Sequence, residues 1–126
     1  MTYKILVVDD DQSIREALER GLQLEGFLVS SASSGDMAIQ EVEENLPDIL
    51  ILDINMPGIS GIQVIKYLRG TNIDIPICVL STPAKLKRVA YIINRFKTFR
   101  LNTIWNHITI NIYIFFNYLC SNISFY

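Results

Sequence analysis

The first 82 residues predict an α/β protein built on an open parallel sheet with helices on both faces. Three observations carry this. Four short apolar runs recur along the chain, segments with apolar residues at helical spacing separate them, and cap or turn residues mark each changeover. A βαβαβαβ order favours parallel strands joined by helical crossovers.

The elements follow in order. Tyr3–Val8 (YKILVV) is a continuous apolar run, as expected of a strand covered on both faces. Ile14, Leu18 and Leu22 repeat every four residues, and Gly26 stops that helix in a C′ role. FLVSSA, 27–32, is a second strand. Ser34 caps a second helix that turns Met37, Ala38, Ile39 and Val42 inward, and Pro47 marks its end. DILILD, 48–53, is the third strand and finishes on a carboxylate. Pro57, Gly58 and Gly61 sharpen the turns that follow. GIQVIKYLR, 61–69, is a third helix with Ile62, Ile65 and Leu68 on one side. Asn72 starts a turn, and IPICVLS, 75–81, is a fourth strand.

One domain is expected from 126 residues, half of them hydrophobic. Cys78 and Cys120 are too few and too far apart for a disulfide framework or a structural zinc site. With an N-terminus that lacks the basic start and long apolar run of a secretory signal, this points to a reducing, cytoplasmic setting, a plastid stroma being the other compartment considered. The net charge of −2 conceals an asymmetry: all 13 acids lie in residues 1–74, and residues 75–126 hold bases only.

In open parallel sheets the functional site lies outside the carboxyl ends of the strands. Asp9 and Asp10 close strand one, Asp53 closes strand three and Ser81 closes strand four, so all four are expected on one rim. Asp11 is placed to cap the first helix. Three carboxylates at about 5 Å repel by about 3 kcal/mol per pair at an effective dielectric of about 20, and no compensating Lys or Arg is evident nearby in sequence. A hard divalent cation relieves that repulsion, and oxygen-only ligands suit Mg²⁺. The chemistry implied is metal-assisted transfer of a phosphoryl group to a carboxylate, with the Ser81 hydroxyl within reach of a phosphoryl oxygen.

The segments KILVVDDD, LPDILILDINMPGISGIQVIKYLR and IPICVLS resemble the receiver domain of two-component response regulators over about residues 3–82. The resemblance implies a flavodoxin-like fold, incomplete here at its C-terminal end, and a signalling module rather than an enzyme. It implies Asp53 as phosphate acceptor, Asp10 as principal Mg²⁺ ligand supported by Asp9, the Asn55 backbone carbonyl as a further ligand, and Ser81 as the switch hydroxyl. The implied partner is a sensor histidine kinase, with dimerisation on phosphorylation in an intact family member. ERGLQLEGF and LDINMPGISG are similar to receivers of winged-helix transcription regulators. Another class, the haloacid-dehalogenase-like phosphotransferases, also uses an Asp at a strand end but expects a second Asp two residues on, where Asn55 stands.

After Ser81 the sequence departs from the receiver pattern. A complete receiver has a fifth strand ending in Lys-Pro and a fifth helix, and no Lys-Pro follows here. Residues 1–83 therefore read as a partial receiver, and 84–126 as an atypical tail that is not a separate domain. Leu86, Val89, Ala90, Ile93 and Phe96 predict a helix near 84–97, and HITINIYIF, 107–115, alternates like a strand. Residues 101–126 are uncharged and long enough to span a bilayer, but asparagines are spread through them and membrane insertion is not expected. The bases from Lys85 to Arg100 are read as a solvated face, with no direct nucleic-acid binding. The tail's Ile, Asn, Phe and Tyr bias is that of an A/T-rich coding strand read out of frame. The expectation is an interrupted response regulator without its DNA-binding domain, with a non-functional fragment as a further reading. Without a native fifth helix, the apolar face beside strands one and three is expected to be poorly covered.

Overall fold

The computed structural model describes residues 2–80, 89, 90, 92–94 and 96. Four parallel strands, β1 (Lys4–Val8), β2 (Leu28–Ala32), β3 (Ile49–Asp53) and β4 (Ile77–Leu80), form one sheet in the order β2-β1-β3-β4. This is the beginning of the flavodoxin-like order. Helices α1 (Gln12–Leu24), α2 (Gly35–Glu44) and α3 (Gly61–Gly70) connect the strands.

Local chemistry sets the helix ends. Asp11 caps α1 by accepting from the Ser13 backbone N–H at 2.9 Å and the Ser13 hydroxyl at 2.6 Å. At the other end Gly26 takes φ 91°. The Gly26 and Phe27 amides then donate to the carbonyls of Gln23 and Leu22, the paired bonds of a Schellman stop. Ser34 caps α2. Ser60 and Gln63 close a capping box at the start of α3, a signature present in the sequence as Ser-Gly-Ile-Gln. Asn72 ends α3 with φ 60°, a left-handed conformation that asparagine tolerates better than most residues.

Strand alternation sorts the core into two layers. On one face Ile5, Val7, Ile49, Ile51, Cys78 and Leu80 meet Ile14, Leu18 and Leu22 of α1. On the other, Leu6, Val8, Leu50, Leu52, Ile77 and Val79 meet α2 and α3 through Ala38, Val42, Val64, Ile65 and Leu68. Two inward assignments are corrected: Met37 is 50% exposed and Ile62 is 44% exposed. Each lies beside the buried stripe of its helix, because a narrow stripe completed by Val42 or Val64 already covers the sheet.

The expectation of a poorly covered α1 face is also corrected. Residues 89, 90, 92–94 and 96 are helical, within the span expected to be a helix. Val89, Ile92 and Phe96 are buried in the same cluster as α1, β1 and β3, with Ile93 packed against it. Phe96 meets Phe27 edge-to-face, with ring centroids 5.7 Å apart at 90°. The side chain of Ile93 lies over Gly21, where an added Cβ would overlap it. Ala90 is exposed. The alternating segment 107–115 and the uncharged segment 101–126 lie outside the described residues. Among the described residues no helix is long and apolar enough to cross a membrane.

Candidate metal and phosphoryl site

β1 and β3 are adjacent and in register, with Val8 opposite Leu52. Asp9 and Asp53 are therefore the next rung of this pair, at the carboxyl end of the sheet. Alternation from Ile5 and Val7, and from Ile49 and Ile51, assigns both side chains to the α1 face. Asp9 and Asp53 are both 0% exposed, while Asp10 is exposed. Asp9, Asp10 and Asp53 each offer a carboxylate oxygen, and these atoms lie within 4.8 Å of one another. The structure thus brings together the three acids that the sequence placed on one rim. Asn55 lies exposed in the loop that follows β3. Ser81, immediately after β4, lies outside the described residues.

The loops hold this arrangement by specific bonds. The Asp11 amide donates to Asp9 Oδ1 at 2.9 Å, and the Asn55 amide donates to Asp53 Oδ1 at 3.1 Å. Each acid therefore folds its own loop back over the strand end in an Asx-type turn. The Ile54 amide donates to Leu80 O at 3.3 Å, which continues the β3–β4 ladder past Asp53. The Gly61 amide donates to Ile54 O at 3.0 Å, and the start of α3 presses directly on the Asp53–Ile54 backbone. Gly58 takes φ 76°, a left-handed turn that favours glycine. The loop then reaches α2, where an added Cβ on Gly35 would lie 2.7 Å from Ile59 O.

The acid pair also has a basic neighbour that the sequence reading missed. Arg15 Nη1 donates to the Asp9 backbone carbonyl at 2.7 Å. Helical side chains lean toward the helix N-terminus, so an Arg in the first turns of α1 can reach back to the preceding loop. That position within the helix was the available signal.

The donor set fits a hard cation. All three side chains supply oxygen, two are fully buried, and exposed Asp10 leaves the cluster open on one side. This matches the preference of Mg²⁺ for a few carboxylates with the remaining positions taken by water or phosphate.

A doubly covered parallel sheet with an acidic cluster at its carboxyl rim defines a class of α/β module suited to holding a hard cation beside a carboxylate. Residues 5–95 match the response regulator receiver domain, and the chain belongs to that family. It is 49% identical over 78 residues to the transcriptional regulatory protein PrrA of Mycobacterium tuberculosis, covering 62% of this chain and 34% of that protein. It is 44% identical over 81 residues to the response regulator MprA of the same species, covering 64% of this chain and 35% of that protein. The chain thus spans about a third of the length of the curated relatives it matches. Among solved structures, the Thermotoga maritima response regulator TrrA, in complex with Mg²⁺–BeF, is 40% identical with TM-score 0.61, covering 67% of this chain and 72% of that one. The Vibrio cholerae chemotaxis protein CheY4 is 30% identical with TM-score 0.62, covering 74% and 81%. These findings give the dehalogenase-like alternative no support. These relatives are bacterial, and they give a plastid setting no support either.

Proposed function

We propose that this chain receives a phosphoryl group on Asp53 from the phosphohistidine of a sensor histidine kinase. An Asp53 carboxylate oxygen forms the new O–P bond as the P–N bond to the histidine breaks, and the imidazole leaves with a proton taken up from solvent. The observation that carries this reading is the convergence of buried Asp53 with Asp9 and Asp10, their carboxylate oxygens within 4.8 Å. Asp10 and Asp9, with Asp53 and the Asn55 backbone carbonyl, are the residues that would hold Mg²⁺. When bound, the ion supplies charge neutralisation for the transferred phosphoryl oxygens. The Asx turns orient the carboxylates beforehand. Ser81 is assigned the switch hydroxyl, moving toward the added charge of about −1.5 to −2.

Residues 1–83 are proposed as the partial receiver that carries the four strands, and 84–126 as an atypical tail that is not a separate domain, with Val89, Ile92 and Phe96 packed into the receiver core. The naming of PrrA as a transcriptional regulatory protein supports a role in transcriptional control. In that role the chain works in the cytoplasm and makes no direct nucleic-acid contact of its own. Phosphorylation favours pairing with a second receiver in intact family members.

The test is labelling with acetyl phosphate and Mg²⁺, followed by borohydride trapping and peptide mapping. Label confined to the Asp53 peptide, and lost in Asp53→Asn, is the expected result. Equal labelling of the two proteins would remove Asp53 from the site.

A further inference from the structure

We propose that Arg15 is a positioning residue for the acidic cluster: its guanidinium fixes the Asp9–Asp10 turn so that the three carboxylates converge on one divalent cation. The inference rests on the reading of the cluster as a Mg²⁺ site.

The backbone of Asp9 is held from two sides. Its amide donates to Ala32 O at the end of β2, at 3.3 Å, and its carbonyl accepts from Arg15 Nη1 at 2.7 Å. Its carboxylate is engaged as well, with Oδ1 accepting from the Asp11 amide at 2.9 Å. Arg15 is itself anchored, because it is half-buried and its own amide donates to Asp11 O at 3.1 Å in the first turn of α1. The guanidinium therefore closes a loop from β1 through Asp9, Asp10 and Asp11 into the helix and back to Asp9. Asp10 is exposed and follows the Asp9 carbonyl in the chain, so the orientation of that peptide sets where its carboxylate points. A bond from an ionised donor is about twice as strong as a neutral one, and it pins this peptide more firmly than a water would.

The electrostatic effect of Arg15 has the opposite sign. A fixed positive charge beside the cluster repels an incoming divalent ion, so its removal, taken alone, tightens Mg²⁺ binding. Positioning predicts the reverse. The sign of the change in affinity thus separates the two roles, and a purely structural role changes stability while leaving the affinity of the folded protein alone.

The experiment is calorimetric titration of the full chain with MgCl₂, in wild type, Arg15→Gln and Arg15→Lys, with the folded fraction of each checked by circular dichroism. Groups that orient metal ligands typically contribute 10–100-fold to affinity. The expected result is binding weakened about tenfold in Arg15→Gln, with Arg15→Lys between it and wild type and the Asp11 amide resonance shifted in both. Equal or tighter binding by folded Arg15→Gln overturns the proposal. If Arg15→Gln does not fold, Arg15→Lys decides, and undiminished affinity there overturns it. A wild-type chain that binds no Mg²⁺ overturns the metal-site reading itself and the Arg15 proposal with it, an outcome distinct from wild-type binding that Arg15 variants fail to weaken.

Discussion

Gly61 stands against the backbone of Asp53: a Cβ at Gly61 would overlap the Asp53 carbonyl oxygen and lie 2.7 Å from the Ile54 Cα. The close approach lets the first turn of α3 buttress the strand end that carries the proposed acceptor. Gly61→Ala cannot be accommodated without moving either the helix or Asp53, and overpacking of this kind costs about 1–3 kcal/mol. Gly70→Ala, where an added Cβ meets nothing within 4 Å, is the control and is expected to be neutral or stabilising by up to about 1 kcal/mol. Urea unfolding of both variants measures the difference, and acyl-phosphate labelling should fall in Gly61→Ala alone.

Removal of Asp10 tests the metal assignment separately from phosphorylation. Asp10→Ala deletes the exposed carboxylate of the cluster while leaving the buried pair, so Mg²⁺ affinity should fall by at least about tenfold, or about 1.4 kcal/mol. Titration followed by amide chemical shifts at Asp9, Asp11 and Asn55 reads this directly. An unchanged affinity would exclude Asp10 as a ligand.

The contact between Phe27 and Phe96 should be a principal tie between the helical residues 89, 90, 92–94 and 96 and the rest of the fold. Phe96→Ala removes a buried aromatic and should cost about 3–5 kcal/mol, a large share of the roughly 5–15 kcal/mol available to a domain. A double-mutant cycle with Phe27→Leu should return a coupling of about 0.5–1.5 kcal/mol for the edge-to-face pair. A Phe96→Ala protein as stable as wild type in urea would show that this packing does not support the sheet in solution.

A pH-dependent contact joins α2 to α3. The Tyr67 hydroxyl donates to Glu43 Oε1 at 2.6 Å. That hydrogen bond, then the charge of Glu43 and then burial, raise the phenol above its ordinary 10.0. Because the folded value is raised, the stabilisation is fully present below pH 10 and is lost as pH climbs through the folded value. Ultraviolet titration of tyrosinate should show a late-titrating phenol that disappears in Tyr67→Phe. The stability difference between wild type and Tyr67→Phe should narrow above pH 10.

Periodicity, with the cap and turn residues, located the four described strands and the three helices between them, because a strand buried on both faces and a helix with an apolar stripe leave distinct spacings in the chain. It also put Asp9, Asp10 and Asp53 on one rim, since a parallel strand must carry its last residues to the carboxyl edge of the sheet. Only the tertiary structure decided what lies beside them. Arg15 is a helix residue by sequence, and its bond to the Asp9 carbonyl exists because α1 turns back over the end of β1. Met37 and Ile62 fit the apolar patterns of their helices, yet they stay at the surface because Val42 and Val64 complete the contact with the sheet. Val89, Ile92 and Phe96 repeat with helical spacing, which is a local property of the chain. Their burial against α1 depends on which face of the sheet the chain reaches after β4, a choice made by non-local packing that no local pattern records.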